Sequence, residues 1–332
     1  MNAHDNPLLD FSGLPRFDAI RPAHVTPAMD VLVADVRRAV EGVATASGEP
    51  TWDAVVAPMA SALDRLDRAW GAVRHLNAVV DTPELRDAHN ASLPHVVALF
   101  TDIAQDLRLY GKYRALHASP AYAALDAAQR KVVDNELRDF RLGGAELPDA
   151  QKARFKALQE ELADLSTQFS EHVLDATNAW AYYASAEELA GVPADVVDAA
   201  RAAAQAEGKD GHKLTLRMPC YLPVMQYAHR RELRARLHRA FATRASDLGE
   251  RPEWDNGPLI GRILAGRREE AELLGYPNYA HVSLVPKMAE HPDEVVAFLR
   301  DLAQRAKPFA DNDFAELTAF AQAHLDLGAL EP

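Results

Sequence analysis

One cysteine, Cys220, stands in a chain of 332 residues. A single thiol excludes an intramolecular disulfide and any cysteine-rich metal cluster, and it fits a reducing compartment. Basic residues are also in deficit, 36 against 49 acidic ones, for a formal net charge of −13. A general nucleic-acid binder needs the opposite balance, because Lys and Arg must replace the counterions on phosphates. No apolar run approaches the ~20 residues that cross a bilayer. The opening stretch Met1–Asp10 lacks the basic region and apolar run of a signal peptide. These absences lead us to expect a cytoplasmic protein without a membrane or nucleic-acid partner. No signature recurs at a fixed period, so no solenoid is expected.

Histidine is plentiful, with 13 in the chain, but badly placed for metal chemistry. No two lie three or four residues apart, and the nearest pair, His89 and His95, has Pro94 between them. A zinc site on one helix needs two imidazoles one turn apart, as in H-E-x-x-H. The best local substitute is His172 with Asp175, at i and i+3. A surface hydrogen bond is the commoner use of such a pair. The chain also lacks G-x-S-x-G, S-x-x-K, a phosphate loop and G-x-G-x-x-G. Cys220 has no nucleophile motif around it and reads as a small buried apolar residue. No catalytic or metal-ligating residue is therefore assigned, and the substrate-binding residues stay unassigned.

What is present is helix after helix. Hydrophobic residues make up 48% and charged residues 26%, enough for a sizeable core at this length. Thr26-Pro27 reads as a helix start, with Met29, Leu32, Val33, Val36, Val40 and Val43 as its stripe. Thr51 opens a second helix carrying Val55, Met59, Leu66, Trp70 and Val73, kinked early by Pro58. Thr82-Pro83 starts a third. Ser119-Pro120 begins a helix expected to run through Leu125 and Phe140 to Gly143-Gly144. From about Pro148, Phe155, Leu158, Leu162, Leu165, Phe169 and Val173 alternate by three and four, a narrow seam for a second long helix. The period changes at Trp180–Tyr183 and Lys213–Met218, which read as two short strands around an Ala-rich helix over 193–206. Pro219 and Pro223 bracket an expected loop, and helices resume near 224–243, 257–274 and 292–325. The fold class is mainly α with one small β element.

Charge gathers at His229–Arg239 and on to Arg244. Arginine forks bind phosphate or a peptide carboxylate bidentately. With Leu233, Leu237 and Phe241 on one helical face, however, a solvated face paired with nearby acids is the expected role. Arg267–Glu272 reads as charged helix surface, and Gly257-Pro-Leu-Ile-Gly261 as a site of close helix packing.

Several stretches go beyond what composition or spacing explains. Asn6–Leu9, Leu14–Phe17 and Ile20–Val25 open the set. Asp134–Phe140, Phe169–Thr177, Tyr221–Met225 and Thr243–Asp247 follow, and the most specific block runs from Leu274-Gly-Tyr-Pro-Asn-Tyr279 to Lys287-Met-Ala-Glu290. In order and over essentially the whole chain, they resemble the thimet oligopeptidase family of zinc metallopeptidases. That resemblance implies a two-lobed helical shell around a deep channel that admits short unstructured peptides. It also implies a zinc held by the two histidines of H-E-x-x-H and a later glutamate, with the motif glutamate activating the zinc-bound water. Those residues belong to the family's carboxyl-terminal half, and the sequence stops at Leu327–Pro332, short of it. No catalytic, zinc or substrate residue is carried over.

The expectation is the amino-terminal, channel-wall half of such a peptidase, inactive alone. Zinc belongs to the full-length enzyme and none is expected on this chain. Its partners are short peptides and the missing carboxyl-terminal half. Three regions are expected: helical residues 1–177, a strand–helix–strand insert at 178–222 and helical residues 223–332. If half a shell is missing, apolar positions that meet the other half should be exposed, or buried by self-association. The alternative is a non-catalytic helical module that binds peptides or a partner protein.

Overall fold

The computed structural model describes residues 6–325 and 330. The opening residues 1–5 and the terminal residues 326–332, apart from residue 330, lie outside the described residues. Thirteen α-helices and one two-stranded sheet make up the described chain. They group into two compact units, each assembled from three segments of sequence. The first comprises Met1–Val40, Ala60–Ile103 and Pro148–Glu269; the second comprises Glu41–Met59, Ala104–Leu147 and Glu270–Pro332.

Helix α1 spans Pro22–Thr45. Its start lies four residues before the expected Thr26, because Pro22 already supplies a residue with no N–H to lose at the first helical position. Pro27 then falls inside the helix. Met29, Leu32, Val36, Val40 and Val43 are all buried, so the expected stripe holds. Thr51 caps the next segment by accepting from the Ala54 N–H at 3.2 Å. The bend expected from Pro58 appears as a π turn at Trp52–Val56, closed by the Ala57 N–H on the Trp52 carbonyl, before α2 (Ala57–Val79). Helix α3 (Pro83–Ala104) continues through Pro94.

Helix α4 (Leu107–His117) starts at Asp106, whose carboxylate accepts from the backbone N–H groups of Arg108 and Leu109. The helix expected to run from Ser119 to Gly143 is two helices, α5 (Pro120–Ala124) and α6 (Ala127–Leu142). Asp126 and Gln129 form a reciprocal capping box that opens α6, and that local signal overrides the apolar spacing through Leu125. In the second unit, α4 packs on α6 through Tyr110 and Tyr113, whose rings stand 5.3 and 5.6 Å from that of Phe140.

The long seam is α7 (Asp149–Ala179). Its apolar row faces α11 (Gly257–Leu273) at Gly266, where a methyl group would lie 2.9 Å from Leu162 Cδ2 and 3.3 Å from Leu158 Cδ1. Close helix packing therefore occurs at Gly266, not at Gly257 or Gly261 as expected. A methyl group would meet no neighbouring atom at Gly261, and at Gly257 only the carboxylate of Asp255. Ion pairs Arg154–Glu269 and Arg262–Glu161 flank this contact.

The strands are shorter than expected and shifted by one or two residues: β1 is Tyr182–Ala184 and β2 is His212–Leu214, antiparallel with Tyr182 opposite Leu214. Gly211 precedes β2 at φ +88°, where a Cβ would press on the Ala184 carbonyl. Helix α8 (Ala194–Ala206) covers β2. The loop expected between Pro219 and Pro223 is instead helix α9 (Met218–Tyr227). Pro219 sits where no intrahelical donor is needed, and Pro223 loses one hydrogen bond. Burial of Tyr221 and Val224 outweighs that loss. With α10 (Arg231–Ala242), α9 completes a core cluster from Ala184 and Leu214 to Leu233 and Leu237. Cys220 packs against this cluster but is half-buried rather than buried as expected, and it accepts the Thr215 N–H on its sulfur at 3.3 Å.

After α12 (Tyr279–Leu284) comes α13 (Pro292–His324), 33 residues long. Of all its residues only Ala321 is buried. Phe298, Leu299, Leu302, Phe309, Phe314, Leu317 and Phe320 are all exposed. They recur at helical spacing as a broad apolar stripe. At roughly 100 Å² each, these side chains present more apolar area than the few hundred Å² usual on a monomer.

Candidate functional site

Three arginines of the basic stretch, Arg234, Arg236 and Arg244, turn to backbone carbonyls and ring faces. Arg234 donates to the carbonyls of Ala228 and His229. Arg236 lies over the Tyr182 ring, 4.3 Å from its centre. Arg244 lies 3.6 Å from the centre of the Phe241 ring and donates from Nη1 to the Phe241 carbonyl at 2.7 Å. Among the described residues no carboxylate forms an ion pair with Arg234, Arg236, Arg239 or Arg244. The face is solvated as expected, with Arg230, Arg236 and Arg239 exposed, and Arg230 acts on Glu188; Arg236 and Arg244 instead lie on the rings of Tyr182 and Phe241.

Three of these arginines come together. Arg236, Arg239 and Arg244 line a cavity of about 450 Å³ with Arg251, the indoles of Trp180 and Trp254, and Glu250. All of them belong to the first unit. The end of α7 supplies Trp180, β1 supplies Tyr182, α10 supplies two arginines, and the loop after α10 supplies the rest.

A buried amide fixes that loop. Asn256, 2% exposed, donates its side-chain N–H to the Phe169 carbonyl at 3.0 Å, and its Oδ1 lies 2.9 Å from His172 Nδ1. Its backbone N–H reaches the Ala245 carbonyl at 3.1 Å. Ala245 itself takes a positive φ of +52°, a strained turn for a residue with a side chain. His172, the best candidate ligand in the sequence, is therefore part of the clamp that holds the cavity's far wall on α7.

The cavity's electrostatics are one-sided. Four guanidinium groups face one carboxylate, Glu250, in the lining. Arg251 is shared with Glu253 at 3.3 Å and leans on Trp254. Burial makes the Arg244 guanidinium easier to deprotonate than usual, with Tyr221 opposing. Its Nε is shielded from solvent and has no acceptor. A buried donor left unmade costs about 1–3 kcal/mol, so this arginine is held at some expense. Four guanidinium groups against one carboxylate suit the space to holding an anion.

The other sequence candidates disperse. Asp175, the partner proposed for His172, accepts two hydrogen bonds from Arg86 at 2.7 and 2.8 Å. Arg86 also takes both oxygens of Asp81. Glu269 of the Arg267–Glu272 run is bound bidentately by Arg154. Among the described residues no three His, Cys, Asp or Glu side chains gather in a way that could hold a metal ion. These residues do not fit a zinc ion. Trp180, Trp254 and Arg251 were not legible as site residues, since no local spacing links them to α10.

Two families describe parts of the chain. Residues 29–152 match "Neurolysin/Thimet oligopeptidase, N-terminal domain" and residues 224–332 match "Peptidase family M3". Oligopeptidase A of Salmonella typhimurium is 45% identical over 329 residues, covering 98% of this chain and 48% of that protein. Oligopeptidase A of Escherichia coli is 44% identical over the same coverage. Dipeptidyl carboxypeptidase of Salmonella typhimurium is 30% identical over 318 residues, covering 94% of this chain and 46% of its own length. The chain spans about half the length of the curated relatives it matches. No helix among the described residues is long and apolar enough to cross a membrane.

Proposed function

Because the chain belongs to peptidase family M3, we propose that it forms the amino-terminal, channel-wall half of a zinc oligopeptidase that hydrolyses short unstructured peptides in the cytoplasm. The observation that carries this is the similarity of 98% of the chain to about half of each oligopeptidase A. On this reading the H-E-x-x-H zinc site lies in the other half, in keeping with the scattered donors of this one. The exposed stripe of α13 also supports it: a second half would cover those phenylalanines and leucines. The chain alone neither holds the metal nor cuts peptides.

The test joins this chain to the carboxyl-terminal half of Escherichia coli oligopeptidase A. Cleavage of a quenched fluorescent peptide is followed with and without chelator, beside the unjoined chain. The expected result is chelator-sensitive cleavage by the joined protein only. Cleavage by the unjoined chain that a chelator stops would overturn the proposal. A second reading, a non-catalytic peptide-binding module, draws on the arginine-lined cavity. It predicts peptide affinity without metal and no gain of activity on joining.

A further inference from the structure

We propose that the cavity bounded by Arg236, Arg239, Arg244 and Arg251 takes the carboxyl end of a short peptide, its terminal carboxylate on the guanidinium groups and its last side chain against Trp180 and Trp254. This goes beyond the channel-wall reading and does not depend on it.

Four observations lead to this assignment. The first is size: about 450 Å³ lies within the range of sites that enclose a small ligand. The second is unspent charge. Among the described residues Arg236 and Arg239 have no carboxylate partner, and Arg244 keeps a buried Nε without an acceptor. Arginine is the residue whose planar fork fits a carboxylate in two parallel bonds. The third is the apolar wall. Trp180, Tyr182, Trp254 and Leu248 line the same space, and a bare inorganic anion would use none of that surface. The fourth is Glu250, which repels a dianionic phosphate more than a singly charged carboxylate and can accept from a peptide N–H. The Asn256–His172 clamp makes the pocket preformed, which spares the ligand an ordering cost.

The experiment uses the full chain without added metal. Fluorescence of the tryptophans and titration calorimetry follow four probes: acetyl-Ala-Ala-Phe as free acid, the same peptide amidated, amidated acetyl-Ala-Asp-Phe, and AMP. The free acid is expected to saturate and quench the tryptophans, with the amide at least ~10-fold weaker. Arg239→Gln, a change at an exposed side chain, should weaken the free acid several-fold and leave the amide unchanged. Arg244→Lys should retain part of the affinity that Arg244→Gln loses. Circular dichroism confirms that each variant is folded. Equal binding of acid and amide, no saturable binding, equal binding of the internal-aspartate amide, or tighter binding of AMP would each overturn the proposal. None of these outcomes bears on whether the joined protein cleaves peptides with zinc.

Discussion

Replacing Arg86 with Met should destabilise the first unit by about 2–3 kcal/mol. Arg86 ties the turn after α2 and the start of α3 to the far end of α7. It makes four charge-assisted hydrogen bonds: Nε and Nη2 to Asp81 at 3.0 and 2.6 Å, and Nη1 and Nη2 to Asp175 at 2.8 and 2.7 Å. Glu171 stands 3.9 Å away. At about 1.5–3 kcal/mol per bond to a charged group, four would sum to roughly 6–12 kcal/mol. That sum overcounts, because one guanidinium is desolvated once for all four. Breaking a fully buried pair costs about 3–5 kcal/mol. Arg86 keeps 23% of its side-chain surface and its acids 9–26%, so screening reduces the figure to about 2–3. Met keeps most of the volume, so the loss reports charge and hydrogen bonding rather than a cavity. Urea unfolding followed by tryptophan fluorescence should show a lower midpoint with an unchanged slope. Arg86→Met combined with Asp175→Asn should cost less than the two separately by about 1 kcal/mol or more. A loss under about 0.5 kcal/mol, or strict additivity, would refute the argument.

Four further outcomes are expected. Gly143→Ala should cost about 1–3 kcal/mol in urea unfolding, because the new methyl group collides with Ala104 Cβ, which cannot rotate away. Gly266→Ala should be near neutral in the same assay, since Leu162 Cδ2 can swing aside and Ala favours the helix by about 1 kcal/mol. Burial, reinforced by Asp139 and opposed by Arg138, raises the Glu136 carboxyl above its ordinary range. The folded state therefore binds that proton more tightly than the unfolded one, and stability falls as pH rises through the ordinary carboxylate value. Glu136→Gln should then be more stable than the parent at about pH 7, and the gain should shrink toward about pH 5; a gain independent of pH would contradict this. Phe309→Ser and Phe320→Ser on α13 should each change unfolding by less than about 0.5 kcal/mol, yet lower hydrophobic-dye binding. A large loss of stability would show that the stripe is already packed.

Local signals proved readable where one residue type has one job. The reciprocal pair Asp126 and Gln129 opens α6, and the three–four row from Phe155 buries its first members against α11. Proline misled in both directions. Thr26-Pro27 resembled a start but lies within α1, and Pro219 and Pro223 resembled loop borders but lie within α9. In each case burial of neighbouring apolar residues outweighed one missing hydrogen bond. The arginines of the cavity were visible in the sequence. Their company was not: Trp180 precedes Arg236 by 56 residues, and Trp254 reaches the same space on the loop whose end Asn256 ties to α7. A charge run alone does not reveal whether acids or indoles will meet it.

Helix α13 carries one more consequence. At 1.5 Å per residue it spans about 50 Å, and Pro308 removes one hydrogen bond near its middle. The pairs Asp301–Arg305 and Lys307–Asp311 brace it along the side. Whatever seats on its phenylalanines meets a finished surface and pays no toll for winding it. Assembly there should proceed at the pace of collision between rigid bodies, with a rate that rises in proportion to partner concentration and shows no plateau from a slow coiling step.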